Sequence, residues 1–326
     1  MTKSIQKLKP DIVLKDYWKN NEKFADLLNA FFFDGKQMIK AEDLTNEDSD
    51  NSTVIINNKH INSLKSDRDL LKIVKFCSRF DVKFALIGLG NQANIHYAMP
   101  IRIVEYDANS YYNQWTKLKK HYAKTKELTG DEYLSGMKKT DKFCPVITIV
   151  LYYGEKPWDG AISLKELLDI PEQLQNFVND YKMNLVEARS NKLIFHDVDN
   201  RNFFYLLQLL YNDALTTKER KRLAEAYDQQ NHVSSTVSIA VASAAKSKIS
   251  LDKLEQGDGN VCTVFEAIEA EGVAKGITQG LSQGIQALIE SCQELGIDQK
   301  TTCEKLSDKF SLDEETAKMY MEKFWK

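Results

Sequence analysis

Between residues 111 and 142 the chain carries eight lysines against the four carboxylates Glu127, Asp131, Glu132 and Asp141, a local charge of +4. The lysines are Lys117, Lys119, Lys120, Lys124, Lys126, Lys138, Lys139 and Lys142, and Tyr111, Tyr112, Trp115 and Tyr122 are interleaved with them. Such a surface can track phosphates while its rings stack on bases; a solvated helix face has the same composition. Arg102, just upstream, suits either a phosphate or a salt bridge to Glu105 or Asp107. Polar residues also stand at the ends of apolar runs. Asp69 opens the run 69–74, and Gln92 follows the run Phe84–Leu89. Positions 90 and 92 are two apart, so on a strand they share a face. A carboxylate at such a strand end suits a hard cation such as Mg²⁺. Spacing alone favours plainer roles: an exposed strand-start aspartate for Asp69, a backbone-paired amide for Gln92, a solvated helix residue for Glu22.

The elements that must position these residues can be read from periodicity. Leu14, Trp18, Phe24, Leu27, Leu28 and Phe31 predict one amphipathic helix over residues 14–33, ended at Asp34-Gly35. Residues 41–53 are polar and acidic and read as a loop. Val54–Ile56, Asp69–Val74 and Phe84–Leu89 read as strands, the last a continuous apolar run of the kind buried on both faces. Pro100 suits the first turn of a helix that continues to about residue 126. Gly130–Asp141 reads as a loop, and Phe143–Gly154, rich in β-branched residues, as the strongest strand. A short helix at 164–168, a strand at 183–187 and helices at 203–211 and 218–227 follow. The order helix, strands, long helix, strand predicts an α/β core with a central mixed sheet. Beyond it come a small-residue stretch at 234–250, a turn at 257–260 and three short helices at 288–295, 301–310 and 313–324. Gly272, Gly276, Gly280 and Gly284 recur every four residues. On a helix they form a stripe permitting close helix approach, which predicts a dimerising tail; a flexible connector is the alternative, since each glycine costs a helix roughly 1 kcal/mol.

At 326 residues the chain can bury a core plus an appendage, and its net charge of −3 excludes a polycation that binds nucleic acid with its whole surface. Five cysteines, an odd number with no CxxC pair, predict reduced thiols in a cytoplasmic protein and argue against zinc. The first residues are basic with no apolar region after them, and no apolar stretch of ~20 residues occurs, so neither a signal peptide nor a membrane partner is expected.

Three motifs add a family likeness. The strand end Gly88-Leu89-Gly90-Asn91-Gln92 is followed by His96-Tyr97-Ala98-Met99-Pro100-Ile101-Arg102 and by Tyr106-Asp107-Ala108-Asn109-Ser110-Tyr111. This closely resembles a signature of the recombination-promoting nucleases, also called YhgA-like transposases, of the PD-(D/E)xK nuclease superfamily. There the strand reads G-[IL]-E-N-Q, then H-Y-A-M-P-x-R and Y-D-A-x-x-Y. The resemblance extends to Pro145–Trp158 and to the glycine-rich tail.

The resemblance implies a restriction-endonuclease-like α/β core, with a central mixed sheet flanked by helices, at 1–215. A helical connector at 216–260 and a glycine-repeat tail at 261–326 would follow, the tail forming a homo-oligomer, most simply a dimer. It implies Mg²⁺- or Mn²⁺-dependent cleavage of double-stranded DNA, linked to recombination or mobile DNA. Asp69 matches the metal-binding aspartate, Gln92 the family's usual replacement for the lysine, and Glu22 an acidic residue of the first helix also placed at the site. Asp69 and Glu22 would therefore be the metal ligands, and Arg102, Lys117, Lys119, Lys120 and Lys124 the DNA contacts. Gly90 stands where the family has glutamate. A glycine offers no side-chain oxygen, so the metal would be held weakly and cleavage impaired. The alternative is a catalytically silent DNA-binding or oligomerising protein.

Overall fold

The structure, a computed structural model, describes residues 10–47, 53–57, 60–64, 70–76, 80–89, 95–190, 192–247, 249 and 261–325. It is mixed α/β, with more helix than strand. The helix expected over 14–33 is two helices, α1 (Pro10–Lys19) and α2 (Asn21–Phe32). Asn20 makes the break. Its backbone is extended and its side chain accepts the amides of Glu22 and Lys23 at 2.8 and 3.1 Å, satisfying donors that a helix start leaves open. Asn29, fully buried, ties the chain after α2 back onto it by accepting from the amides of Met38 and Ile39.

Five strands form the main sheet, in the order β1 (Leu44–Glu47), β4 (Leu70–Phe76), β5 (Phe80–Leu89), β6 (Val146–Tyr152), β7 (Asn184–Glu187). The first two pairings are antiparallel and the last two parallel, so the sheet is mixed. β2 (Thr53–Asn57) and β3 (His60–Leu64) pair antiparallel in a separate hairpin. β1 lies in the stretch expected to be loop. It is an edge strand whose Thr45-Asn46-Glu47 has no apolar alternation to betray it.

Helix α3 (Met99–Thr125) carries the chain from β5 across to β6, as parallel neighbours require, with Pro100 in its first turn as expected. Met99, Ile103 and Tyr106 of α3 bury against Val150 and Met183 on one sheet face. Tyr153 is three residues past Val150, so with period two it faces the other way. There it accepts a hydrogen bond from Trp18 Nε1 at 2.7 Å, inside an aromatic cluster with Phe203 and Phe204 of α5 (Val198–Leu210). The loop expected at 130–141 contains a short helix, α4 (Gly130–Ser135), closed by Gly136 at φ +69°. A side chain at Gly136 would also meet Lys119 Cγ at 2.8 Å.

The chain divides into two compact units, one through Phe265 and one from Glu266. Within the stretch expected as a helical connector stand two helices, α6 (Thr217–Asn231) and α7 (Ser235–Ala244), and both belong to the first unit. α7 is buried from Val237 to Ala244, apart from the half-buried Ile239. The turn expected at 257–260 lies outside the described residues. α8 (Val261–Glu294) is one continuous helix through the whole glycine array, where a separate helix starting at 288 was expected. In the second unit α8 packs with α9 (Gln299–Phe310) and α10 (Glu314–Phe324) around Ile285, Ile289, Leu306, Ala317 and Met321. Asp298 and Asp313 cap α9 and α10 by accepting the amides of Thr301 and Thr316. Gly284 lets Phe310 approach to 3.3 Å of where a Cβ would stand. Gly272, Gly276 and Gly280 meet nothing within 4 Å. Among the described residues no helix is long and apolar enough to cross a membrane.

Lys72 of β4 is fully buried. Its Nζ donates to the carbonyl of Lys19 and to Asn21 Oδ1, both at 2.7 Å, and lies 4.7 Å from the centre of the Phe24 ring. It thereby fastens the α1–α2 corner to the sheet. Burial disfavours the ammonium and brings its pKa from 10.5 to about 8. Between those values the unfolded chain holds more protons than the folded one, so this residue makes stability rise with pH across the window; below it the full penalty stands. Urea denaturation at pH 7 and near pH 10 should show that rise in the native chain and a smaller one in Lys72→Met. An equal rise in both would remove Lys72 as its source.

Candidate functional site

In open α/β sheets ligands gather at the carboxyl ends of parallel strands. Here Leu89, Tyr152 and Glu187 lie in one row across the ends of β5, β6 and β7. α3 runs back against these strands, so its N-terminus opens at the same edge. Asp69, Gly90 and Gln92 lie outside the described residues, and so does any convergence among them. What is described there is an aromatic rim with a carboxylate. Tyr152 and Trp158 meet edge to face with ring centres 5.3 Å apart. Burial, then the nearby Glu187 and Asp159, raise the Tyr152 hydroxyl pKa. Glu187 accepts the Trp158 amide at 3.3 Å, and Trp158 Nε1 donates to the Gly160 carbonyl at 2.8 Å. Tyr97, largely exposed, has its ring against Gly160, where a Cβ would stand 3.2 Å from Tyr97 Cδ1. Gly154 is needed because the Tyr152 hydroxyl occupies the space a side chain would take. Sequence reading passed over Glu187 and Tyr152 as site residues, since nothing local marks them as standing in register with residue 89.

Glu22 is exposed in the first turn of α2. Its neighbour Asn21 donates to the carbonyls of Ala41 and Leu44 and accepts from Lys72, which pairs with Phe84 of β5. Among the described residues no three His, Cys, Asp or Glu side chains come together as a metal centre. Of the two ligands expected for Mg²⁺, Glu22 is described and Asp69 is not. Arg102 bonds neither Glu105 nor Asp107 in any described contact; its Nε donates to the Tyr106 hydroxyl at 3.0 Å, Nη2 donates to the same oxygen, and the guanidinium lies 5.4 Å from that ring's centre. Asp107 is buried and accepts from Thr148 Oγ1 at 2.6 Å and from the Tyr181 hydroxyl. It fastens α3 to β6 beside a cavity of about 170 Å³ at the amino end of that strand.

The lysine-rich flank splits into two faces of α3. Lys117, Lys120 and Lys124 recur at three and four residues, form one stripe and are all exposed. Lys119, also exposed, points elsewhere: its stem lies against Gly136 and its Nζ 5.4 Å from the centre of the Trp115 ring. The interleaved aromatics are largely turned inward. Trp115 Nε1 donates to the Ser135 carbonyl at 2.9 Å, the Tyr111 hydroxyl accepts the Val146 amide at 3.0 Å, and buried Tyr122 donates to Asp141 at 3.1 Å. Lys138 is held by Glu127 at 2.7 Å. The flank therefore presents a lysine stripe, while Tyr111, Trp115 and Tyr122 hold the 126–146 segment to the helix.

No protein-family model, curated protein or solved structure matches this chain.

Proposed function

We propose that the chain has a restriction-endonuclease-like core that holds double-stranded DNA across the carboxyl ends of β5, β6 and β7, and that its Mg²⁺-dependent cleavage is impaired because Gly90 replaces the metal-binding glutamate. The observation that carries this reading is the setting of the motif strand. β5 stands at the centre of a mixed sheet, antiparallel to β4 and parallel to β6. It ends at Leu89, immediately before the Gly90-Asn91-Gln92 motif, and α3, which begins within the Met99-Pro100 motif, returns from that edge. The positive end of the α3 dipole favours phosphate there; the Lys117–Lys120–Lys124 stripe lies further along the same helix, past the amino end of β6, where a duplex running on along α3 would meet it. Mg²⁺ at this edge would be held by Asp69 with help from Glu22, and would polarise the phosphate and activate water. Asp107, by anchoring α3, keeps the helix start in place.

Gly90 itself favours a second reading, a silent DNA-binding or oligomerising protein, in which the tail after residue 260 pairs copies of the chain. The nuclease reading and the DNA-binding form of the second both require DNA to bind. Gel-shift titration with a short duplex at low salt should show retention that weakens as salt rises. Lys117→Glu/Lys120→Glu/Lys124→Glu should lose at least tenfold in affinity and flatten the salt slope, since each phosphate contact contributes about one to it. Unchanged affinity in the triple variant would take the stripe out of the interface. No retention of the native chain at low salt would sink the nuclease reading and the DNA-binding form of the second, leaving an oligomerising or protein-binding module.

A further inference from the structure

We propose that Tyr97 stacks on an unpaired nucleobase, so that the DNA preferred at the carboxyl edge of the sheet is a duplex interrupted by an unpaired nucleotide. This rests on the reading above that the edge takes DNA, and it names the form of DNA.

Ile95 and Tyr97, between β5 and α3, meet Gly160, which follows β6. Gly160 touches two rings: a Cβ there would stand 3.2 Å from Tyr97 Cδ1 and 3.3 Å from Trp158 Nε1. The indole is fixed from several sides. Its Nε1 donates to the Gly160 carbonyl, Tyr152 meets it edge to face, and it packs on the buried cluster around Val150. Trp158 is thereby half-buried and cannot offer its ring whole. Tyr97 is the outer member. It is 59% exposed, and among the described residues no ring stacks on it and no hydrogen bond holds its hydroxyl. A tyrosine ring in water is ordinary in itself. This one is backed by a fixed glycine and indole, at the edge where the proposed site lies.

The partner that fits this ring is flat and uncharged. Over residues 154–160 Glu155 and Asp159 are exposed against Lys156 alone, and Glu187 accepts the Trp158 amide behind them. Arg189 does not offset these charges from a free position: it donates to the Glu155 carbonyl and pairs with Asp213 at 3.2 Å. Phosphate is therefore not drawn to this loop, and the start of α3 suits it better. A nucleobase has a π-face and no charge, and it stacks on an aromatic ring whatever its sequence. Inside an intact duplex the base faces cover one another. Extruding a base is costly, and least so where it is already unpaired.

The test is gel-shift titration of the full chain, without metal, against three duplexes. One is intact, one carries an extra unpaired nucleotide, and one has an abasic site in place of that nucleotide's base. The native chain should bind the unpaired duplex at least about fivefold tighter than the intact one, the low end of what stacking one base contributes. The abasic duplex should lose that gain, since it keeps the bend and lacks the base. Tyr97→Ala should bind the unpaired and intact duplexes equally, whereas Tyr97→Phe, which keeps the ring, should preserve the gain. Each comparison is made within one protein, so a general loss of binding cancels. Equal binding of the first two duplexes by the native chain overturns the inference. So does a gain that survives in the abasic duplex or in Tyr97→Ala. Those results leave the DNA reading standing, because intact duplex is still retained; no retention of any duplex ends both.

Discussion

Gly90→Glu is expected to raise Mg²⁺-dependent nicking of supercoiled DNA by ~100-fold or more, about 2.7 kcal/mol of transition-state stabilisation. The physical reason is the ligand count. Mg²⁺ binds hard oxygens and usually takes one or two carboxylates with waters. With glycine at position 90, Asp69 and Glu22 are the carboxylates the resemblance leaves. A glutamate would restore a charged oxygen two residues before Gln92, a spacing that on a strand puts both side chains on one face. A better-held metal lowers the barrier twice over, by polarising the phosphate and by acidifying its bound water. The readout is the initial nicking rate at fixed salt, with Mg²⁺ and then Mn²⁺. A native chain that already nicks at the rate of the variant would mean that other residues hold the metal.

The second large effect is on stability. Trp18→Ala should cost about 3–5 kcal/mol, a large share of the 5–15 kcal/mol typical of a folded domain. Trp18 is 2% exposed and touches Tyr17, Phe203 and Phe204. Its removal opens a cavity between α1 and α5 and strips the Tyr153 hydroxyl of the donor it bonds at 2.7 Å. Trp18→Phe keeps most of the ring and should cost clearly less. Urea denaturation should show a lower midpoint with little change of slope. The chain has two compact units, so the shift should be confined to the transition of the first. A Trp18→Ala midpoint within experimental scatter of the native one would show that this contact does not hold α1 in place.

What the sequence showed, and what it hid, follows from how local each signal is. α3 was legible because Pro100 and a long amphipathic run declare it, and β6 because Val146–Tyr152 is dense in β-branched residues. The break at Asn20 was hidden, since an asparagine within an apolar pattern looks like one more polar position until its side chain turns back to cap α2. β1 was hidden because an edge strand needs no apolar face, and α4 because one and a half turns carry too little periodicity. The site divides the same way. The motif around residue 90 is contiguous and could be read, but the row Leu89–Tyr152–Glu187 exists only once three distant strands pair. The lysine-rich flank was visible as composition. Its division into an exposed stripe and an aromatic inner face depends on the helix turning Trp115 and Tyr122 toward the following segment.

The most direct test of the central claim is a four-form cycle of single-turnover cleavage on one supercoiled substrate: the native chain, Gly90→Glu, Asp69→Ala, and both changes together. Carboxylates that hold one metal act as a unit, so their effects should not add. The account predicts that Gly90→Glu gains its ~100-fold only while Asp69 is present, and that the double variant falls back to the level of Asp69→Ala. A double variant as fast as Gly90→Glu alone would contradict the assignment of Asp69 and position 90 to a shared metal site.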